Sequence, residues 1–185
     1  MHVRLFAFLP ILAVLNGGAL AQQTPLSPYT GFETRQIKAL SANQIEDLKA
    51  GRGMMLALAA ELNGYPGPVH ALELADQLGL SENQRSRMQE LYAAMKTETI
   101  PLGEQLIEQE KDLDAQFAKH AVTRTSLIAT MKIIGETQAA LRTAHLKYHL
   151  STVDVLAPDQ IRRYNELRGY AGGKDDKRHD QSPRH

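Results

Sequence analysis

His145 and His149 stand four residues apart in a stretch of helical periodicity, so both imidazoles project from one helix face, a spacing able to hold a divalent metal ion. Two ligands do not complete a site. Further donors must come from elsewhere in the chain, from His70, Glu73, Asp76 or the thioethers of Met54 and Met55. The plainer reading of the pair is a polar strip in which His145, with Gln138 and Thr152, interrupts an apolar face. His179 and His185 lie in a charged C-terminal stretch and read as solvated.

Flexible thioethers suit promiscuous apolar surfaces, and Met54 and Met55, adjacent to each other and next to Leu56 and Leu58, are candidate contacts for a polypeptide client. Met88, Met95 and Met131 recur at helical spacing and read as core. Glu104, Glu108 and Asp112 descend one helix face beside Lys111, which makes a solvated charged face rather than a working carboxylate pair. Catalysis has little footing. There is no nucleophile with a paired base in motif context, no Gly-rich phosphate loop, no metalloprotease helix signature and no cysteine. A binding protein rather than an enzyme is expected.

These residues must be positioned by helices. Ala, Leu, Gln, Glu and Lys are abundant, aromatics are 5% and Trp is absent, a mix that favours long helices over a β-rich core. Punctuation is sparse: Gly51 and Gly53, the break Gly64-Tyr65-Pro66-Gly67-Pro68, Gly79, Pro101 and Pro158. The pattern predicts helices over 42–62, with a possible interruption at Gly51-Arg52-Gly53, and over 68–78, 82–119, 124–155 and 158–168. Met88, Leu91, Met95, Leu102, Leu106, Leu113 and Phe117 form one apolar stripe, and Leu127, Met131, Ile134, Leu141, Tyr148 and Val155 another. The two stripes should face each other in a long antiparallel hairpin turning near His120-Ala121-Val122-Thr123. Each arm is roughly 50 Å long, too extended for one small core to cover, so a homodimer is expected to bury the remaining apolar surface.

The ends frame this helical domain of residues 41–168. Arg4, the apolar run Leu5 to Leu15 and Ala19-Leu20-Ala21 have the layout of a secretory signal peptide over 1–21, cleaved near Ala21. The run is about half the roughly 20 residues that a membrane span needs, so no stable anchor is expected. Residues 22–40 read as a flexible leader and 169–185 as a disordered tail. Formal net charge is zero, which gives no electrostatic grip on nucleic acid.

Three segments share a pattern: Leu40-Ser41-Ala42-Asn43-Gln44, Leu80-Ser81-Glu82-Asn83-Gln84 and Leu156-Ala157-Pro158-Asp159-Gln160. In the first two, Ser is placed to accept from a free backbone N–H while Gln reaches back, a capping box. The third has Ala157 where the hydroxyl would be, but sets Pro158 at the first helical position and Asp159 at the positive end of the helix dipole. Leu80, Ser81 and Gln84, with Leu156 and Gln160, placed before two helices behind an export signal, resemble the Leu-Thr-x-x-Gln motif of the Spy/CpxP family. The resemblance spans about residues 68–168, and Ala157 departs from it.

That resemblance implies a small periplasmic all-helical protein, often a cradle-shaped antiparallel dimer. Some relatives bind unfolded clients without ATP, some damp an envelope sensor kinase, and some sense zinc, nickel, cobalt or copper. The sensing site in such relatives resembles a His pair on an early helix, an acidic residue and a His-x-x-x-Met on a later one. Here His145 and His149 match the later element in spacing, and His70 stands alone early in the domain. An ATP-independent chaperone or stress adaptor is therefore expected, with a metal sensor or metal-binding resistance protein as the alternative.

Overall fold

The computed structural model describes residues 27–170. The regular elements among them are helices: α1 (Ala42–Lys49), α2 (Leu58–Glu61), α3 (Pro68–Glu73), α4 (Glu82–Ala118), α5 (Arg124–Val155) and α6 (Pro158–Leu167), preceded by a 3-10 turn at Phe32–Thr34. α4 and α5 form the long antiparallel hairpin, and the shorter helices flank it. No helix among the described residues is long and apolar enough to cross a membrane. The signal peptide expected over 1–21 lies outside the described residues.

Capping sets where the helices begin. Ser41 Oγ accepts from the Gln44 N–H at 3.2 Å and Ser81 Oγ from the Gln84 N–H at 3.2 Å, while each glutamine Oε1 accepts from the serine N–H. Thr123 and Ser126 make the same exchange at the hairpin turn. Pro101 sits inside α4 without ending it. Its ring removes one backbone bond, which the packing of so long a helix against α5 outweighs.

Two expected helices are shorter than their periodicity suggests. Gly51 takes φ +64°, and the Arg52 N–H reaches the Asp47 carbonyl at 2.9 Å in a Schellman ending of α1. Met54 and Met55 then adopt left-handed φ of 42° and 66°, so the chain resumes as helix only at Leu58. α3 stops at Glu73 and continues as turns to Gly79.

Two apolar clusters hold the hairpin. At its base Ala71, Leu78, Leu80, Met88, Leu91, Leu156 and Tyr164 pack together from α3, α4, α6 and the turns between. Further along, Ile37, Leu48, Leu106, Ile107, Ile134 and Leu141 form the second cluster, with α1 crossing α4. Ile37 is buried there, so the ordered body includes part of the stretch expected as a leader, and half-buried Tyr170 extends it past the expected start of the tail.

The α5 seam also differs from the expected stripe. Its buried positions are Thr130, Ile134, Thr137, Leu141, Ala144, His145, His149 and Thr152. Met131 and Phe117 are exposed. No third helix covers the hairpin near its turn, so the seam runs along the line where α4 meets α5, one position away from Met131. Two of the threonines have their hydroxyls bonded: Thr152 donates to the Tyr148 carbonyl at 2.8 Å and Thr130 accepts from Gln116 Nε2 at 3.0 Å.

Candidate functional site

The second and third copies of the repeated pattern meet at the hairpin base. Gln84 Nε2 donates to Gln160 Oε1 at 2.8 Å, and Gln160 Nε2 donates back to Gln84 Oε1 at 3.0 Å. Gln84 also donates to the Val155 carbonyl at 3.0 Å and Gln160 to the Leu78 carbonyl at 3.3 Å. Each Oε1 accepts in addition from the backbone N–H that opens its own helix, Ser81 at 3.1 Å and Ala157 at 2.9 Å. Both amides thus use two donors and two acceptor sites, their full capacity. Leu80 and Leu156 are buried beneath the pair. Ala157 offers no acceptor, so Pro158 and the Gln160 arm start α6 alone.

Beside this clasp, between the two apolar clusters, lies a cavity of about 290 Å³. α5 contributes His145 and His149, which are 3% and 8% exposed. Met54 and Met55 reach it from the left-handed segment, Met95 from α4, and His70 from α3. Met55 is 76% exposed at the surface, whereas Met54 packs on the second apolar cluster. His70 is held by Glu73, Nδ1 to Oε2 2.9 Å.

Glu61, 7% exposed at the end of α2, is a buried carboxylate in the cavity wall. Tyr164 donates a short hydrogen bond to its Oε1, Tyr170 a second at 3.3 Å, and Arg168 Nε stands 3.6 Å away. Burial first, then the bond to Glu61, pushes the Tyr164 hydroxyl far above the ordinary tyrosine range, so it stays a donor. The other oxygen, Oε2, has no hydrogen-bond partner and lies 3.8 Å from His149 Nδ1.

His149 Nδ1 is 2.6 Å from the Tyr65 carbonyl. A carbonyl only accepts, so Nδ1 carries the hydrogen and, in the neutral ring, Nε2 carries the lone pair. Gly67 makes room for that edge, since a β-carbon there would meet Nε2 at 3.0 Å. His145 Nε2 is buried with no partner. Burial, and secondarily the charge of His149, lower the His145 pKa and keep the ring neutral around neutral pH. No group of three or more His, Asp or Glu among the described residues is arranged to hold a metal ion. His70, His145 and His149, the Glu61 carboxylate and the thioethers of Met54, Met55 and Met95 are the donor groups that line the cavity.

A family model, the LTXXQ motif family protein, matches residues 69–168, more than half of the chain. The chain belongs to the LTXXQ motif family. This is the family of Spy/CpxP-like periplasmic proteins, helical and non-enzymatic. No curated protein and no solved structure matches the chain.

In this LTXXQ protein the motif residues Leu80, Ser81, Gln84, Leu156, Pro158 and Gln160 all sit in the base clasp, away from the cavity lining. His145, His149, Met54 and Met55, read from sequence as separate candidates, share one cavity, and His70 joins them. Asp76 does not: it pairs with Arg85 at 2.6 Å. Glu61, Tyr164, Tyr170 and Arg168 escaped the sequence reading, and Met95 and Gly67 were read there only as a core residue and as part of a helix break. Glu61 carried a signal, because a lone carboxylate closing the run Leu56-Ala57-Leu58-Ala59-Ala60 must be buried with that run or left against it.

Proposed function

We propose that this LTXXQ protein acts in the periplasm as an ATP-independent chaperone or envelope-stress adaptor, binding unfolded or misfolded envelope proteins on the sides of its hairpin. The observation that carries the reading is the set of large apolar side chains left uncovered towards the hairpin turn. Phe117, Ile128, Met131 and Ile133 are exposed there, Ile128 at 71%, and charged Lys132 and Glu136 stand among them. Such short apolar clusters set in charge suit weak, multiple contacts with varied chains, and release needs no nucleotide. Homodimerisation would cover part of the same surface, and a sensor kinase or other envelope regulator is a further partner of this reading.

The test is aggregation of a denatured client without ATP. Wild type should protect it, and Ile128→Ser with Ile133→Ser should weaken protection severalfold with an unchanged melting midpoint, since both positions are exposed. His145→Ala with His149→Ala should leave protection largely intact. A wild type that gives no protection contradicts the proposal. The alternative, a metal-responsive protein, is favoured by one observation: His145, His149, Met54 and Met55 line one cavity.

A further inference from the structure

Resting on that metal-responsive alternative, we infer that the cavity between α3, α4 and α5 is a soft-metal site for one monovalent ion, Cu(I) or its redox-inert equivalent Ag(I), held by imidazole nitrogen from His145 and His149 and thioether sulfur from Met54, Met55 and Met95. A closed zinc site needs four ligands, and nickel or cobalt sites ask for a comparable number of nitrogen and oxygen donors. This cavity does not assemble them. His70 and Glu61 also border it, but His70 Nδ1 is taken by Glu73 and Glu61 Oε1 by Tyr164, Asp76 is engaged by Arg85, and among the described residues no three His, Asp or Glu are grouped so as to hold a metal ion.

Glu61 is not the missing ligand of His149. Its free Oε2 lies on the Nδ1 edge of that ring, whereas the lone pair is on Nε2, the opposite edge. The carboxylate and the Tyr65 carbonyl stand on the Nδ1 side and fix the tautomer and the ring's orientation, the support that metal-bound histidines ordinarily have from behind.

What the cavity does assemble is soft. Three of the chain's six methionines line it, two of them consecutive and both in the left-handed conformation that non-glycine residues rarely adopt. Thioether and imidazole donors favour Cu(I), which is content with two or three ligands. His145 adds a buried Nε2 without a partner, a group whose hydrogen-bonding capacity the fold leaves unused.

The experiment is anaerobic titration of the full mature chain with Ag(I), and with Cu(I) against a chromophoric competitor, beside Zn(II), Ni(II) and Co(II). One Ag(I) or Cu(I) per chain should bind, at least tenfold more tightly than any of the divalent ions. Met54→Leu with Met55→Leu should weaken Ag(I) binding at least tenfold without moving the melting midpoint, and His145→Leu should do the same to binding. Met131→Leu, outside the cavity, should change nothing. In a sample carrying ¹³C-methyl methionine, Ag(I) should shift the signals lost in the Met54/Met55 variant and leave that of Met131. Tighter binding of Zn(II), Ni(II) or Co(II) would overturn the soft-ion inference while leaving a metal-responsive protein standing. Absence of any metal binding at micromolar concentration would overturn both. Ag(I) binding that is indifferent to the cavity variants would place the ion elsewhere and overturn the site.

Discussion

The glutamine clasp and the histidine cavity are neighbours at the base of one hairpin, built by overlapping helices, with the two glutamines half-buried and His145 and His149 buried, and they differ in how their polar atoms are satisfied. In the clasp every donor and acceptor of Gln84 and Gln160 is used, partly by the other glutamine and partly by backbone groups at helix ends. In the cavity His145 Nε2 and Glu61 Oε2 are buried without partners. A complete polar network fixes a fold, whereas an unpartnered buried group stands against stability and calls for another reason to be there. The motif that characterises the family therefore serves architecture in this chain, and the candidate chemistry lies next to it.

The largest loss of stability is expected at the clasp. Gln84→Ala or Gln160→Ala should each cost about 1–3 kcal/mol, because every removed amide leaves buried carbonyls or the partner amide unpaired. The two losses should not add. A double-mutant cycle by denaturant unfolding should give a coupling of about 0.5–3 kcal/mol, and additive losses would mean that the glutamines act separately.

A smaller effect is expected one step outwards, at the caps. Ser81→Ala should cost about 1 kcal/mol through loss of the N-cap acceptor, and Ala157→Thr should stabilise by no more than that by restoring the hydroxyl that α6 lacks. Thermal midpoints of the two variants check both signs. If neither midpoint moves, the capping account of the motif fails.

Much of this architecture was legible in the sequence because it rests on local rules. Capping boxes, Pro158 and the Gly-rich breaks mark helix ends within a few residues, and the 3.6-residue period sets the hairpin. The α5 seam was less legible, since Thr130, Thr137 and Thr152 are buried, Thr130 with its hydroxyl bonded across the hairpin to Gln116 and Thr152 within the helix to Tyr148, while apolar Met131 stays out, a choice made by where α4 lies. The cavity was legible only in pieces. His145 with His149 was visible from helical spacing, and Met54 with Met55 from adjacency. Their meeting depends on the left-handed segment at Met54 and Met55 and on the return of α6 with Tyr164 and Arg168, contacts between residues about a hundred positions apart.

The smallest expected effect is in pH. The His145 pKa is lowered from its ordinary 6.5 in the folded state, so the unfolded chain takes up the proton first as pH falls. Its contribution to stability is complete above about 6.5 and declines as pH drops from there towards the folded value. Denaturant midpoints recorded from pH 8 to pH 5 should show this decline in wild type and a flatter profile in His145→Leu.

His145→Leu also bears most directly on whether the cavity keeps its unpartnered polar groups for a ligand. Unfolding free energy and Ag(I) affinity of this one variant at pH 7 should move in opposite senses. With the buried, unpartnered nitrogen replaced by a methyl-bearing side chain of similar size, stability should rise by about 1 kcal/mol while Ag(I) binding weakens at least tenfold. A variant that is instead less stable by about 1 kcal/mol or more, with Ag(I) binding unchanged, would make His145 an ordinary core residue and contradict the account.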